Sequence, residues 1–167
     1  MLGCVNLFHA LDRAALSVLI EPIKADLDLS DTQLGVLTGF AFSLTYALFG
    51  IPLARLADTR NRVKLLSICL AVWSAATAIA GLAQSFIQLA LTRVMVGIGE
   101  AGGAPSTVSM IGDFYAPENR SRGMSWYQLG GAAGGTLGLA LVGVLADHYG
   151  WRVALFAMGL PGVVLSI

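Results

Sequence analysis

The sequence predicts an all-α membrane protein of six transmembrane helices, arranged as two inverted three-helix repeats. Three observations predict it. The 167 residues are 56% hydrophobic and 12% charged, with mean hydropathy +0.76, whereas soluble domains carry about 25% charged residues. The apolar residues gather in six stretches, and each of the first five has the roughly 20 residues that cross a ~30 Å hydrocarbon core. Finally, Leu56-Ala57-Asp58 ahead of Arg62-Val63 returns as Leu145-Ala146-Asp147 ahead of Arg152-Val153. The offset is about 90 residues, or three spans, and an odd number of spans between copies inverts the topology.

The stretches lie at about 1–22, 34–54, 65–83, 86–112, 123–146 and 152–167. In the first, Asn6, His9, Arg13 and Ser17 fall within about 80° of one another at ~100° per residue, a polar stripe that Asp12 flanks. Asn6 and Ser17 read most simply as helix–helix hydrogen-bonding groups. The second stretch is apolar throughout. Cys4 in the first and Cys69 in the third have no C-x-x-C spacing, so both read as small core or lipid-facing residues, with no metal site and no disulfide framework. The fourth carries Arg93, Gly97, Glu100 and Ala104 on one face, with Gly97 and Gly99 thinning the helix beside the acid. The fifth holds Gly130, Gly131, Gly134, Gly135, Gly138 and Gly143. Their small-xxx-small spacing predicts close backbone packing, in preference to a sliding surface. The sixth stops at Ile167 after 16 residues, and the first begins without a polar flank, so the chain reads as a bundle cut at both ends. The first stretch lacks a basic n-region and a small-residue cleavage site, which argues against a cleavable signal peptide.

Counting only Lys and Arg, the second and fourth connections hold Arg55, Arg60, Arg62, Lys64, Arg120 and Arg122, while the others hold Lys24 and Arg152. The positive-inside rule places the loops near 55–64 and 113–122, and the N-terminus, in the cytoplasm. A bacterial inner (plasma) membrane fits this reading. With a rise of about 1.5 Å per residue, Asp12 and Arg13 then lie about 12–14 Å below the first helix's exit near Glu21–Pro22. Glu100 lies about 21 Å and Arg93 about 10 Å from the start of the fourth helix. Asp12, Arg13 and Glu100 thus fall within roughly 6 Å of the midplane and meet if the first and fourth helices face one another. Ionised groups at that depth cost about 2.5–3.5 kcal/mol each even on the mild insertion scale, and they mark substrate or ion paths.

Other function classes fit poorly. The formal net charge is zero and no basic run is interleaved with aromatics, so nucleic acid is not an expected partner. Only His9 and His148 exist, and Ser106 and Ser109 have no neighbouring His in sequence, which disfavours an enzyme. The sequence has no G-x-x-x-x-G-K-[ST] run for direct nucleotide drive, and no cofactor is expected.

The segment Ala54-Arg55-Leu56-Ala57-Asp58-Thr59-Arg60-Asn61-Arg62-Val63-Lys64 resembles the signature G-x-x-x-D-R-x-G-R-R/K of the major facilitator superfamily. Asp58 and Arg62 are in register; Ala54 and Asn61 replace glycines, and Thr59 and Val63 replace basic residues. Asn61 is expected to supply the left-handed backbone of the lost glycine. Arg93-x-x-x-Gly97-x-Gly99-Glu100-Ala101 with Pro105, and Asp113-Phe114-Tyr115-Ala116-Pro117-Glu118-Asn119-Arg120, are similar to the superfamily's fourth helix and the loop after it. Leu11-Asp12-Arg13 with Leu16-Ser17, then Glu21-Pro22-Ile23, looks most like the spinster-like branch.

The resemblance implies the N-terminal six-helix half of a twelve-helix secondary transporter that works by alternating access. It implies a symport or antiport mode, proton coupling and a lipid-like or amphiphilic substrate. The expected partners are the lipid bilayer, that substrate, and a C-terminal half in the same or a second chain. By motif match, Asp12, Arg13 and Glu100 form the proton-coupling centre. Asn6, His9, Ser17, Arg93, Tyr127 and Gln128 are candidates for the substrate cavity, and Asp58, Arg62, Lys64 and Arg120 for the cytoplasmic gating loop. Two alternatives stay open. Arg13 and Arg93 would also draw a small organic anion, and the same scaffold could serve as a non-transporting receptor.

Overall fold

The computed structural model describes residues 2–167, so the Met1 end of the first predicted stretch lies outside the described residues. Helix α1 (Leu2–Leu27) is the first span. It runs past the exit predicted at Glu21–Pro22 with Pro22 inside it, giving up the one backbone bond that Pro22 cannot donate to the Val18 carbonyl. The chain turns at Asp28 (φ 50), a residue type that tolerates the left-handed region. Ser30 then caps α2 (Asp31–Gly35) in a reciprocal capping box with Gln33. One π turn over Val36–Phe40 carries α2 into α3 (Ala41–Thr59), so the second span is continuous and longer than the apolar run 34–54.

Asn61 opens α4 (Arg62–Ala80), and here the expected left-handed turn is not what forms. Asn61 has φ −65 and ψ 109, and its side chain accepts the Lys64 N–H at 3.0 Å. The lost glycine is replaced by a helix cap, which satisfies one of the orphan donors of the first turn. The fourth span is likewise two helices, α5 (Phe86–Ala101) and α6 (Gly103–Phe114), meeting at Gly102. Pro105 explains the junction, since it cannot donate to the Ala101 carbonyl four residues back. Gly102 keeps a right-handed backbone (φ −85, ψ −14), so the span bends without stopping. After a 3₁₀ turn at Pro117–Asn119 comes α7 (Arg120–Leu165), in which the fifth and sixth spans are joined across Gly150 (φ 83). Glycine permits that reversal without steric strain.

Every regular element among the described residues is helical, and the large apolar side chains left outside, such as Phe40, Ile51, Ile68, Ile87 and Leu91, clothe the bundle in a lipid-compatible surface. Together with four helices long and apolar enough to cross a bilayer, this describes a multi-pass integral membrane protein. Glycines set the tightest contact. A Cβ added at Gly130, Gly134 or Gly138 would strike α1 at Gly3, Leu7 or Leu11 and Ala14, whereas Gly135 and Gly143 face open space. The fifth-span glycines on this face are therefore a packing surface, as the spacing predicts.

The three-span offset reappears in the ion pairs. Arg62, at the start of the third span, pairs with Asp113 at the end of the fourth. Arg152, at the start of the sixth, pairs with Asp26 near the end of the first at 2.6 Å. Each arginine also donates to a carbonyl: Arg62 to Ala57 at 3.1 Å and Arg152 to Ala83 at 3.2 Å. Arg152 additionally lies over the Trp151 ring at 4.2 Å, and the Trp151 indole N–H donates to Asp26 at 3.3 Å.

Candidate functional site

Helices α1 and α5 do face one another, and their charges meet inside the bundle. Glu100 is 1% exposed and accepts a hydrogen bond from Arg13 Nε at 3.1 Å. His9 Nε2 lies 2.9 Å from the same oxygen, Glu100 Oε2, but its geometry is not that of a hydrogen bond, so the two are in contact without being bonded. His9 stands edge-on to Trp73, ring centroids 6.0 Å apart. The Arg13 guanidinium lies over two aromatic rings of the second span, Phe42 at 5.1 Å and Tyr46 at 5.6 Å. Arg13 therefore has two kinds of partner, one ionic and one aromatic, on different helices.

Two more ionisable groups lie beside this pair. Asp12 and Arg93 are both buried, close to Glu100 and to Thr77. Asp12 Oδ1, Arg93 Nε and Nη2, and the Thr77 hydroxyl find no hydrogen-bond partner in this arrangement. Asp12, Arg13, Arg93 and Glu100 line a cavity of about 250 Å³ with Leu16, Thr38, Phe42 and Val96. Two carboxylates and two guanidiniums share it, so the chamber is neutral only while both acids are ionised, and one added proton leaves it cationic. Buried charges with unspent hydrogen-bonding capacity are costly in a purely structural role, because burial rewards only fully satisfied pairs.

Six helical spans thus enclose a charged chamber, with an Arg–Asp pair at each end of the bundle. The family profile described as Major Facilitator Superfamily matches residues 2–167. The chain belongs to the Major Facilitator Superfamily. An "MFS-type efflux pump" of Mycolicibacterium smegmatis is 41% identical over 99% of this chain and 39% of its own length. A "Probable L-galactonate transporter" of Escherichia coli is 31% identical over 94% of this chain and 34% of its own. Among solved structures, the crystal structure of a bacterial homolog to the human lysosomal transporter Spinster, inward-facing and occupied, superposes with TM-score 0.94 at 36% identity. It covers 99% of this chain and 41% of that chain. The spinster-like resemblance and the N-terminal-half fold both stand on that match, and the chain spans about two fifths of the length of the facilitator proteins it resembles. By their descriptions these relatives are transporters rather than enzymes.

The other residues singled out from sequence divide. Asn6 is an interhelical bond as expected: its amide donates to the Tyr127 carbonyl at 2.8 Å. Ser17 is not; it donates to Ala14 of its own helix at 2.7 Å and lies exposed. Asp12, flanking the polar stripe, is buried, while Arg13 within it is half exposed. Gln128 is exposed and lines neither the chamber nor the apolar groove described below. Of the gating-loop residues, Arg62 holds Asp113, and Arg120 donates to the Gly112 carbonyl at 3.0 Å. Asp58 and Lys64 are exposed, and neither side chain has a hydrogen bond or ion pair among the described residues. Sequence reasoning missed Phe42, Tyr46, Trp73 and Thr77. The i, i+4 spacing of Phe42 and Tyr46 on an otherwise aliphatic span was the signal that could have found the first two.

Proposed function

We propose that this chain is the N-terminal half of a proton-coupled secondary transporter that moves a lipid-like or amphiphilic substrate by alternating access. It would reside in a bacterial inner membrane with its basic loops in the cytoplasm. Its C-terminal half is supplied by the same or a second chain. The observation that carries the reading is the buried Glu100 carboxylate held by Arg13, whose guanidinium is also seated on Phe42 and Tyr46. Protonating Glu100 removes the ionic partner but leaves the aromatic seat. Arg13, 49% exposed, then presents an uncompensated cation with apolar ring surface on either side, suited to an anionic head group joined to a hydrocarbon body. Binding of that head would displace the proton-bearing carboxylate, which links substrate and proton occupancy without any step of covalent chemistry. His9, in contact with the same oxygen, would take part in the proton's passage.

The test is pH-gradient-driven uptake by the full-length protein in proteoliposomes, comparing Glu100→Gln with wild type. The expected result is loss of the pH dependence with substrate binding retained; unchanged coupling in the variant sinks the mechanism. A second reading, transport of a small organic anion, is favoured by the two guanidiniums in the chamber and by the resemblance to a probable L-galactonate transporter. Uptake of a labelled lysophospholipid against labelled galactonate separates the two. Binding without flux of either would point to a non-transporting receptor.

A further inference from the structure

A groove of about 860 Å³ opens at the opposite end of α1 from the Asp26–Arg152 pair, among residues of the first, third, fourth, fifth and sixth spans. Its wall is overwhelmingly apolar, and two large residues at its edge, Phe114 and Trp126, are 71% and 68% exposed. It lies at the basic end of the bundle, where the Arg55–Lys64 and Asp113–Arg122 loops emerge. Two lining residues are the sequence neighbours of cations: Val63 adjoins Lys64, and Gly123 adjoins Arg122. Of the other charges on these two loops, Arg55, Arg60, Asp58 and Glu118 are exposed and form no ion pair among the described residues. Asp113 is neutralised by Arg62, and Arg120 is bonded to the Gly112 carbonyl. The side chains of Lys64 and Arg122 are exposed and have no ion pair among the described residues.

We propose that this groove is a binding site for an anionic phospholipid of the adjoining leaflet, with one acyl chain in the groove and the phosphate between Lys64 and Arg122. The charge arrangement selects this occupant over a neutral one. An apolar trough alone would accept any hydrocarbon, but the adjoining loops carry four unpaired cations (Arg55, Arg60, Lys64 and Arg122) against two unpaired acids (Asp58 and Glu118), and that surplus adds attraction for a negative head group. Its size lies in the range of small-molecule sites, roughly 300–1,000 Å³. Trp126 and Tyr115 at its edge are residues that settle at the head-group level of a bilayer. The site is separate from the charged chamber, since no residue lines both. It therefore does not depend on what the protein transports. If the basic loops are cytoplasmic, the leaflet is the anionic inner one.

The test is quenching of Trp126 by brominated-chain lipid in the full-length protein, taken as the wild-type signal minus that of Trp126→Phe. Brominated phosphatidylglycerol is expected to quench at a mole fraction lower than brominated phosphatidylcholine by on the order of tenfold, the effect of two surface cations on an anionic head. The double variant Lys64→Gln/Arg122→Gln should erase that preference, and Ala133→Phe, which fills the groove, should weaken quenching by both lipids. Both cations are exposed, so the double variant is expected to fold, and its thermal midpoint in detergent should match wild type. Equal quenching by the two lipids in wild type overturns the proposal, as does a phosphatidylglycerol preference that survives the double variant. Absence of quenching by either lipid also overturns it, because a second copy or another part of the chain then covers the groove.

Discussion

Two hollows lie one above the other along α1, and they are built on opposite principles. The mid-depth chamber is small, about 250 Å³, and is lined by four ionisable side chains whose hydrogen-bonding capacity is only partly used. The groove at the basic end is more than three times larger, about 860 Å³, and almost wholly apolar, with its charges confined to the rim. Chain position does not explain the difference, because α1 and the fourth span line both. What differs is the neighbour. At mid-depth α1 meets Glu100 and Arg93 on α5, while at its start it meets Gly130 of the fifth span and the aliphatic beginning of α4. The contrast teaches that charge at bilayer depth demands dense mutual neighbours, whereas an apolar hollow is stable half open, because lipid can fill what protein does not.

The comparison can be broken most forcefully inside the chamber. Arg93→Met removes one of two cations facing Asp12 and Glu100 and leaves two carboxylates sharing one guanidinium. Breaking such a buried set is expected to cost about 3–5 kcal/mol, read as a large fall in the thermal midpoint of the full-length protein in detergent. A wild-type midpoint would mean that Arg93 is not holding those acids. Gly134→Leu attacks the wall between α1 and α7, where an added Cβ meets the Leu7 backbone. Overpacking there should cost about 1–3 kcal/mol, and Gly135→Ala, which faces open space, should not. Equal losses from the two would refute the packing surface. Asp26→Asn, in the exposed pair with Arg152, should cost no more than about 1 kcal/mol, with the difference shrinking further in high salt. The smallest change is expected at the groove's edge. Trp126→Ala should alter stability by less than about 0.5 kcal/mol, since that ring is mostly exposed. A loss comparable to that of Arg93→Met would erase the distinction between the two hollows.

The spans and the meeting of Arg13 with Glu100 could be read from sequence, because apolar length and a 1.5 Å rise per residue fix depth and leave few ways for two charges to lie near the midplane. The company that Asp12 keeps could not. The depth estimate put Asp12 near the midplane with Arg13 and Glu100, but its nearness to Arg93, 81 residues away on α5, depends on how the two helices pack. Asn61 was misread for a related reason: Asn suits both a left-handed turn and a helix cap, and only the backbone of α4 decides between them. Of the groove, only Tyr127 was singled out from sequence, since most of its wall is aliphatic side chains of five spans, each of which reads equally well as core or lipid face. The repeat was visible in Asp58/Arg62 and Asp147/Arg152, yet the acids the two arginines choose, Asp113 and Asp26, lie outside the repeated string.

The face made by Gly130, Gly134 and Gly138 has a mechanical consequence. With no side chain between them, α1 and the first half of α7 touch backbone to backbone over about two turns, so neither can tilt or rotate alone without opening a gap along the contact. Two rods joined in this way flex as one beam. A small displacement of Arg13 when Glu100 changes charge would then not be absorbed locally as a rotamer change; it would be carried as a tilt to the ends of both spans. The beam's length sets the gain, and a proton at mid-depth would be felt as movement at the membrane surface.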